Sequence, residues 1–111
     1  MPRRFSLGAK EKSELKAELY SKYGHYCHYC GIPEDEFQVI WAGPFYGDFK
    51  RGNSLEIDRV HPALGYEKDN CVLDCALCNM CKSDKFSYDE FQKMGKVIRE
   101  IWELRKKHES S

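Results

Sequence analysis

The sequence predicts a small α+β domain stapled by a metal: an N-terminal helix, two short strand candidates running into a second helix, and a long C-terminal helix. Three observations carry that expectation. Two CxxC pairs, Cys27/Cys30 and Cys75/Cys78, stand far apart in the chain. Apolar residues recur at helical spacing near both ends. Between those ends, short runs rich in β-formers are separated by stretches dense in glycine and proline. The 111 residues leave room for one modest core, and domains this small often add a metal or a disulfide.

Residues 1–8 read as a loose arm. In "AKEKSELKAELYSKYG", Leu15, Leu19 and Tyr23 recur every four residues and Gly24 is a stop signal, which predicts a helix over 9–23. "HYCHYCG" follows as a compact knuckle. "FQVIWA" is the first strand candidate, and "GPFYGDFKRGNS" after it is a loop. "LEIDRV" is the second strand candidate, with Leu55 and Ile57 alternating against Glu56 and Asp58. "HPALGYEKDN" turns the chain, and "CVLDCALCNMCKSD" returns through a short apolar stretch into a helix starting near Asp74. A long helix is expected over 87–108. Ser87 and Glu90 fit a capping box, and Phe91, Met94, Ile98, Ile101 and Trp102 form an apolar stripe expected to pack on the core. There is no internal repeat and no second domain in the pattern.

A hydrophobic fraction of 41% and an aromatic fraction of 14% favour a packed fold over disorder. Eighteen basic residues balance eighteen acidic ones, so nucleic-acid binding has no support from net charge and has to come from local patches. Arg3/Arg4, Lys50/Arg51, Lys82/Lys85 and the "RKKH" tail are such patches. "MPRRF" lacks a following apolar run, so no signal peptide or membrane span is expected. The expected setting is the reducing cytosol, where cysteines more often hold metal than pair as disulfides.

Zinc prefers four tetrahedral thiolate or imidazole ligands, which two CxxC knuckles supply. Gly31, after the first pair, suits the tight turn of a knuckle. The assignment is a structural zinc on Cys27, Cys30, Cys75 and Cys78, with alternatives in view. Cys78 and Cys81 form a further CxxC, Cys71 is another thiol, and His25 and His28 are competing donors. On a helix Cys75, Cys78, Asn79 and Lys82 share one stripe, while Cys81 is rotated away.

The stretch "LEIDRVHPALGYEKDNCVLDCALCNMCKSD" resembles the HNH endonuclease family, whose core is a ββα unit around a catalytic metal. Asp58 and Pro62 match the first block of the family pattern and Asn70 its middle Asn. Cys75 and Cys78 match its knuckle, Asn79 its last position and Lys82 its Lys. "CHYCG" is similar to the upstream knuckle of many members, and the "GY…NCVLDC" wording to small phage and bacterial ones. The resemblance spans roughly residues 25–83. It implies a metal-dependent enzyme that cleaves or nicks DNA, with Asp58 and Asn79 holding Mg²⁺ or Mn²⁺. Asn70 would hold the loop in shape, and Lys82, Lys50 and Arg51 would contact phosphate.

The chain departs from the pattern at the base. Arg59 follows the metal Asp where the family has His, and a guanidinium accepts no proton. Arg59 is instead a candidate phosphate clamp. His61 is the replacement base expected from the sequence; strand parity puts it on the same face as Arg59. Two residues along a strand is about 6–7 Å, so a bulge or bend at 60–61 has to bring the ring back. The rival expectations are a degenerate scaffold that binds nucleic acid without cutting, and a zinc-propped protein-binding adaptor. Oligomeric state is left open.

Overall fold

The computed structural model describes residues 6–37 and 54–110, apart from the side chains of 108–110. The strand candidate "FQVIWA" (beyond Phe37), the loop after it up to residue 53, and the basic pairs Arg3/Arg4 and Lys50/Arg51 lie outside the described residues. Phe37 itself has helical backbone angles (φ −60°, ψ −38°), not strand ones.

Helix α1 spans Ala9–Tyr23 and buries Leu15 and Leu19. Gly24, at φ 89°, ends it by donating its N–H to the Tyr20 carbonyl. The chain then folds back on itself. Cys27 N–H donates to Ile32 O, Gly31 N–H donates to Cys27 O, and Gly31 takes φ 74°, a left-handed conformation that favours glycine.

Strand β1 (Glu56–Arg59) pairs antiparallel with β2 (Cys71–Asp74) in the register Glu56–Asp74, Ile57–Leu73, Asp58–Val72 and Arg59–Cys71. This corrects the expectation for "CVLD", which is a strand, not a lead-in to a helix starting at Asp74. Helix α2 begins at Ala76, and Cys75 is its N-cap, the sulfur accepting from Cys78 N–H. It runs to Lys82 and stops where Ser83 turns to φ 48°. Helix α3 spans Tyr88–Ser110. Its capping box is formed: Ser87 Oγ accepts from Glu90 N–H at 3.1 Å, and Glu90 Oε1 accepts from Ser87 N–H at 2.9 Å.

The core gathers Leu15 and Leu19 of α1, the knuckle residues, Leu55, β2, and Phe91, Ile98 and Trp102 of α3. The apolar stripe expected on α3 is split. Phe91, Ile98 and Trp102 are buried, while Met94 and Ile101 are 39% and 46% exposed, on a different side of the helix. Gly95 lets α3 approach the knuckle closely, because a Cβ there would overlap the Tyr29 carbonyl. Among the described residues no helix is long and apolar enough to cross a membrane.

Candidate active site and metal centre

The two knuckles meet. The Sγ atoms of Cys27, Cys30, Cys75 and Cys78 all lie within 4.8 Å of one another, and all four residues are buried. Cys30 and Cys75 sulfurs are 3.9 Å apart, close to the roughly 3.8 Å edge of a tetrahedron with 2.3 Å zinc–sulfur bonds. Backbone N–H groups of Cys30 and Cys75 point at Cys27 Sγ, at 3.5 and 3.3 Å, and that of Cys78 points at Cys75 Sγ. Burial raises the Cys27 thiol, but hydrogen bonds from the other three sulfurs and from Cys30 N–H outweigh it and pull the thiol down. Contacts with the Cys27 and Cys30 sulfurs push Cys75 and Cys78 up. Four cysteine sulfurs this close and this buried are a donor set that could hold a metal ion. The other donors are elsewhere. Cys81 is exposed and Cys71 buried apart from the cluster. His28 Nε2 lies 2.6 Å from Tyr88 Oη, and His25 stacks on Tyr20.

The second constellation sits on the hairpin. Directly opposed residues of an antiparallel pair share a face and alternate residues repeat it. Glu56, Asp58, Val72 and Asp74 therefore share one face, and α2 lies against it. Asn79 Nδ2 donates to Glu56 Oε1 at 3.1 Å. Lys82, 0% exposed, puts its ammonium 3.4 Å from Asp58 Oδ2 and 3.2 Å from Arg59 O. Tyr29 Oη donates to Asp58 Oδ2 at 2.6 Å, tying the knuckle to the hairpin. Burial raises the Asp58 carboxyl above its ordinary range despite the Tyr29 hydrogen bond and the Lys82 charge. Burial also pushes Asp74 well up, reinforced by the charges of Asp58, Cys27 and Glu56, and neither Asp74 oxygen has a hydrogen-bond partner.

A cleft of about 320 Å³ opens beside this face, lined by Ile57, Asp58, Arg59, Pro62, Tyr66, Asn79, Ser83 and Asp84. It brings together three residues singled out in the sequence: Asp58, Asn79 and Arg59. Arg59 lies over the Tyr66 ring, 4.8 Å from its centroid, and its Nη1 is 3.5 Å from Leu64 O. Asn70 is buried behind the loop. Its Oδ1 accepts from His61 N–H, and its Nδ2 donates to the His61 and Gly65 carbonyls.

Two expectations need correction. The chain does bend at 60–61, yet the His61 side chain is exposed and does not line the cleft, because Asn70 pins its backbone on both sides. Lys82 is not a surface phosphate contact, because its ammonium is buried against Asp58. Sequence reasoning missed Tyr29 and Asp74. Strand parity with Glu56 and Asp58 was the signal available for Asp74, once β2 was recognised; Tyr29 carried none.

A structure of the rare-cutting HNH restriction endonuclease PacI superposes with a TM-score of 0.63 at 26% identity, covering 92% of this chain and 88% of that one. The chain has an HNH fold. The sheet of β1 and β2, the helices and the four-cysteine cluster are consistent with an HNH-like α+β core. An uncharacterised protein of Acanthamoeba polyphaga mimivirus is 35% identical over 54 residues, which is 47% of this chain and 10% of that protein's length. No family model matches the chain.

Proposed function

We propose that the chain is a metal-dependent endonuclease of the HNH type that hydrolyses or nicks phosphodiester bonds in DNA, held together by a structural zinc. The observation that carries this reading is the placing of Asp58 and Asn79 on one cleft of an HNH hairpin and helix. Both offer hard oxygen donors suited to Mg²⁺ or Mn²⁺. A carboxylate has about four lone-pair sites, so Asp58 keeps capacity beyond the contacts with Tyr29 and Lys82. A divalent ion held there supplies positive charge to the scissile phosphate and the leaving oxygen. Of the chain's own groups, Arg59 brings a second positive charge into the cleft, Asn70 fixes the loop against which Arg59 lies, and Lys82 with Tyr29 orients Asp58. A cytoplasmic setting fits four reduced thiols.

Arg59 at the base position and His61 outside the cleft favour a second reading, a scaffold that binds DNA without cutting it. Supercoiled-plasmid cleavage at low salt with Mg²⁺ or Mn²⁺ decides between them. Asn79→Ala and Asp58→Asn are to be run beside wild type, the latter chosen to keep the buried shape. Cleavage by wild type that both variants lose supports the endonuclease. An intact plasmid with a folded, zinc-containing, DNA-binding wild type leaves the scaffold. His61→Ala, added to the series, retains cleavage if the exposed ring takes no part.

A further inference from the structure

We propose that the groove adjoining the cleft is the track for the DNA backbone on one side of the scissile bond, with Lys12 and Lys16 of α1 as its phosphate contacts. This rests on the reading of the Asp58/Asn79 cleft as a phosphodiester site. The groove has a volume of about 610 Å³, nearly twice that of the cleft, and shares Ile57, Tyr66 and Asn79 with it. The two spaces therefore adjoin, with Asn79 and Tyr66 at the junction. The far wall of the groove is the N-terminal half of α1, from which Lys12 and Lys16 face in. They stand four residues apart, so both lie on one side of the helix about 6 Å apart along its axis.

The ordinary reading of a lysine on a helix is a solvated charge. Lys10 and Lys22 of the same helix are exposed and line neither space, and they fit that reading. Lys12 and Lys16 differ in place. Lys16 is half-buried, its ammonium 3.5 Å from Ser54 Oγ and 5.8 Å from the Tyr20 ring centroid, which holds it at the groove wall. The groove also carries Glu56, whose carboxylate accepts from Asn79 Nδ2. A polyanion following the lysine wall passes from α1 to the junction at Asn79 and on to Asp58 and Arg59. The recognition is of phosphate, with no base reading required. It also answers the zero net charge of the chain: the attraction is local, confined to one wall of the groove.

The test is equilibrium binding of a short fluorescent DNA duplex to the full chain, without added divalent ion, across a salt series. Wild type is compared with Lys12→Ala/Lys16→Ala and with Lys93→Ala/Lys96→Ala, an equal charge loss at exposed α3 positions that line neither space. Each phosphate contact on duplex DNA contributes roughly 0.9 to the slope of log affinity against log salt. The groove pair is expected to flatten that slope by about 1.8 and to weaken binding more than the α3 pair, with its melting temperature unchanged. Equal effects of the two pairs overturn the proposal, since only bulk charge then matters. A groove pair that binds like wild type also overturns it, leaving the endonuclease reading intact. Failure of wild type to bind duplex at all removes that reading and this proposal together.

Discussion

Replacing Lys82 by Met tests how the hairpin face is held. The ammonium is fully buried, 3.4 Å from Asp58 Oδ2, and Met keeps most of the chain length without the charge. Removing one partner of a buried ion pair costs about 3–5 kcal/mol, because the other charge is left without compensation. Asp58 has an escape: burial has already raised its carboxyl, so it can take up a proton. The expected cost at pH 8 is therefore at the lower end, about 3 kcal/mol. For a chain of this size that is a fall in Tm of roughly 12 °C. The sign with pH follows from the direction of the shift. A carboxyl raised in the folded state favours folding where it is protonated and loses that advantage as pH climbs through its folded value. The variant raises Asp58 further, so its deficit against wild type is small near pH 4 and grows towards pH 8. Thermal melts followed by circular dichroism across that range, with zinc present, measure it. Asp58→Asn/Lys82→Met, which removes both charges, is expected to recover part of the loss at pH 8. A single variant melting within about 2 °C of wild type at pH 8 would refute the buried pair.

Metal analysis should find one zinc per chain, lost in Cys27→Ser and Cys78→Ser and retained in Cys71→Ser and Cys81→Ser; zinc surviving in the first two would break the cluster assignment. Mg²⁺ at ten times its dissociation constant should stabilise wild type by about 1.4 kcal/mol, read as a rise in Tm that Asn79→Ala lacks; equal rises would place the ion elsewhere. Gly95→Ala gains about 1 kcal/mol of helix propensity, but the added Cβ overlaps the Tyr29 carbonyl. A net loss of stability on the order of 1–3 kcal/mol is expected, and a higher Tm would contradict the close approach. Burial raises Glu34, but hydrogen bonds from Tyr20 Oη at 2.5 Å, Leu55 N–H at 2.7 Å and His25 outweigh it, so its carboxyl is lowered. A lowered carboxyl adds stability that is complete above its unfolded value and lost as pH falls through the folded one. Glu34→Gln should thus be less stable than wild type at neutral pH, with the two curves converging in acid; parallel curves would contradict the shift.

Local signals were legible where one property dominates. The leucines of α1 and the capping box of α3 are regular, and the two CxxC pairs come together as their pattern predicts. "CVLD" was harder for a physical reason. All four of its residues are buried, so the alternation that marks a half-exposed strand is missing. On α3 the apolar residues spread over two sides of the helix, and only contact with the knuckle through Gly95 selects Phe91, Ile98 and Trp102 as the buried set. Lys82 reads as a surface charge in any one-dimensional pattern. Its burial is decided by Asp58, twenty-four residues away on another element.

The charges on the hairpin face argue for a site over a relic. Glu56, Asp58 and Asp74 share that face, and against them the α2 helix sets the single buried ammonium of Lys82. Asp74 is fully buried with both oxygens unpartnered. A fold kept only for its shape is generally no worse, and often better, with apolar residues in place of such groups. Of the three carboxyls, Asp58 lines the cleft that also presents Asn79 and Arg59, and Glu56 lines the groove beside it. On the proposed reading, a cation held at Asp58 would offset the burial that raises this carboxyl, so the group that costs the fold stability would strengthen the metal site. On the same reading, metal binding would be coupled to the stability of the hairpin, and added Mg²⁺ would raise the melting temperature of wild type.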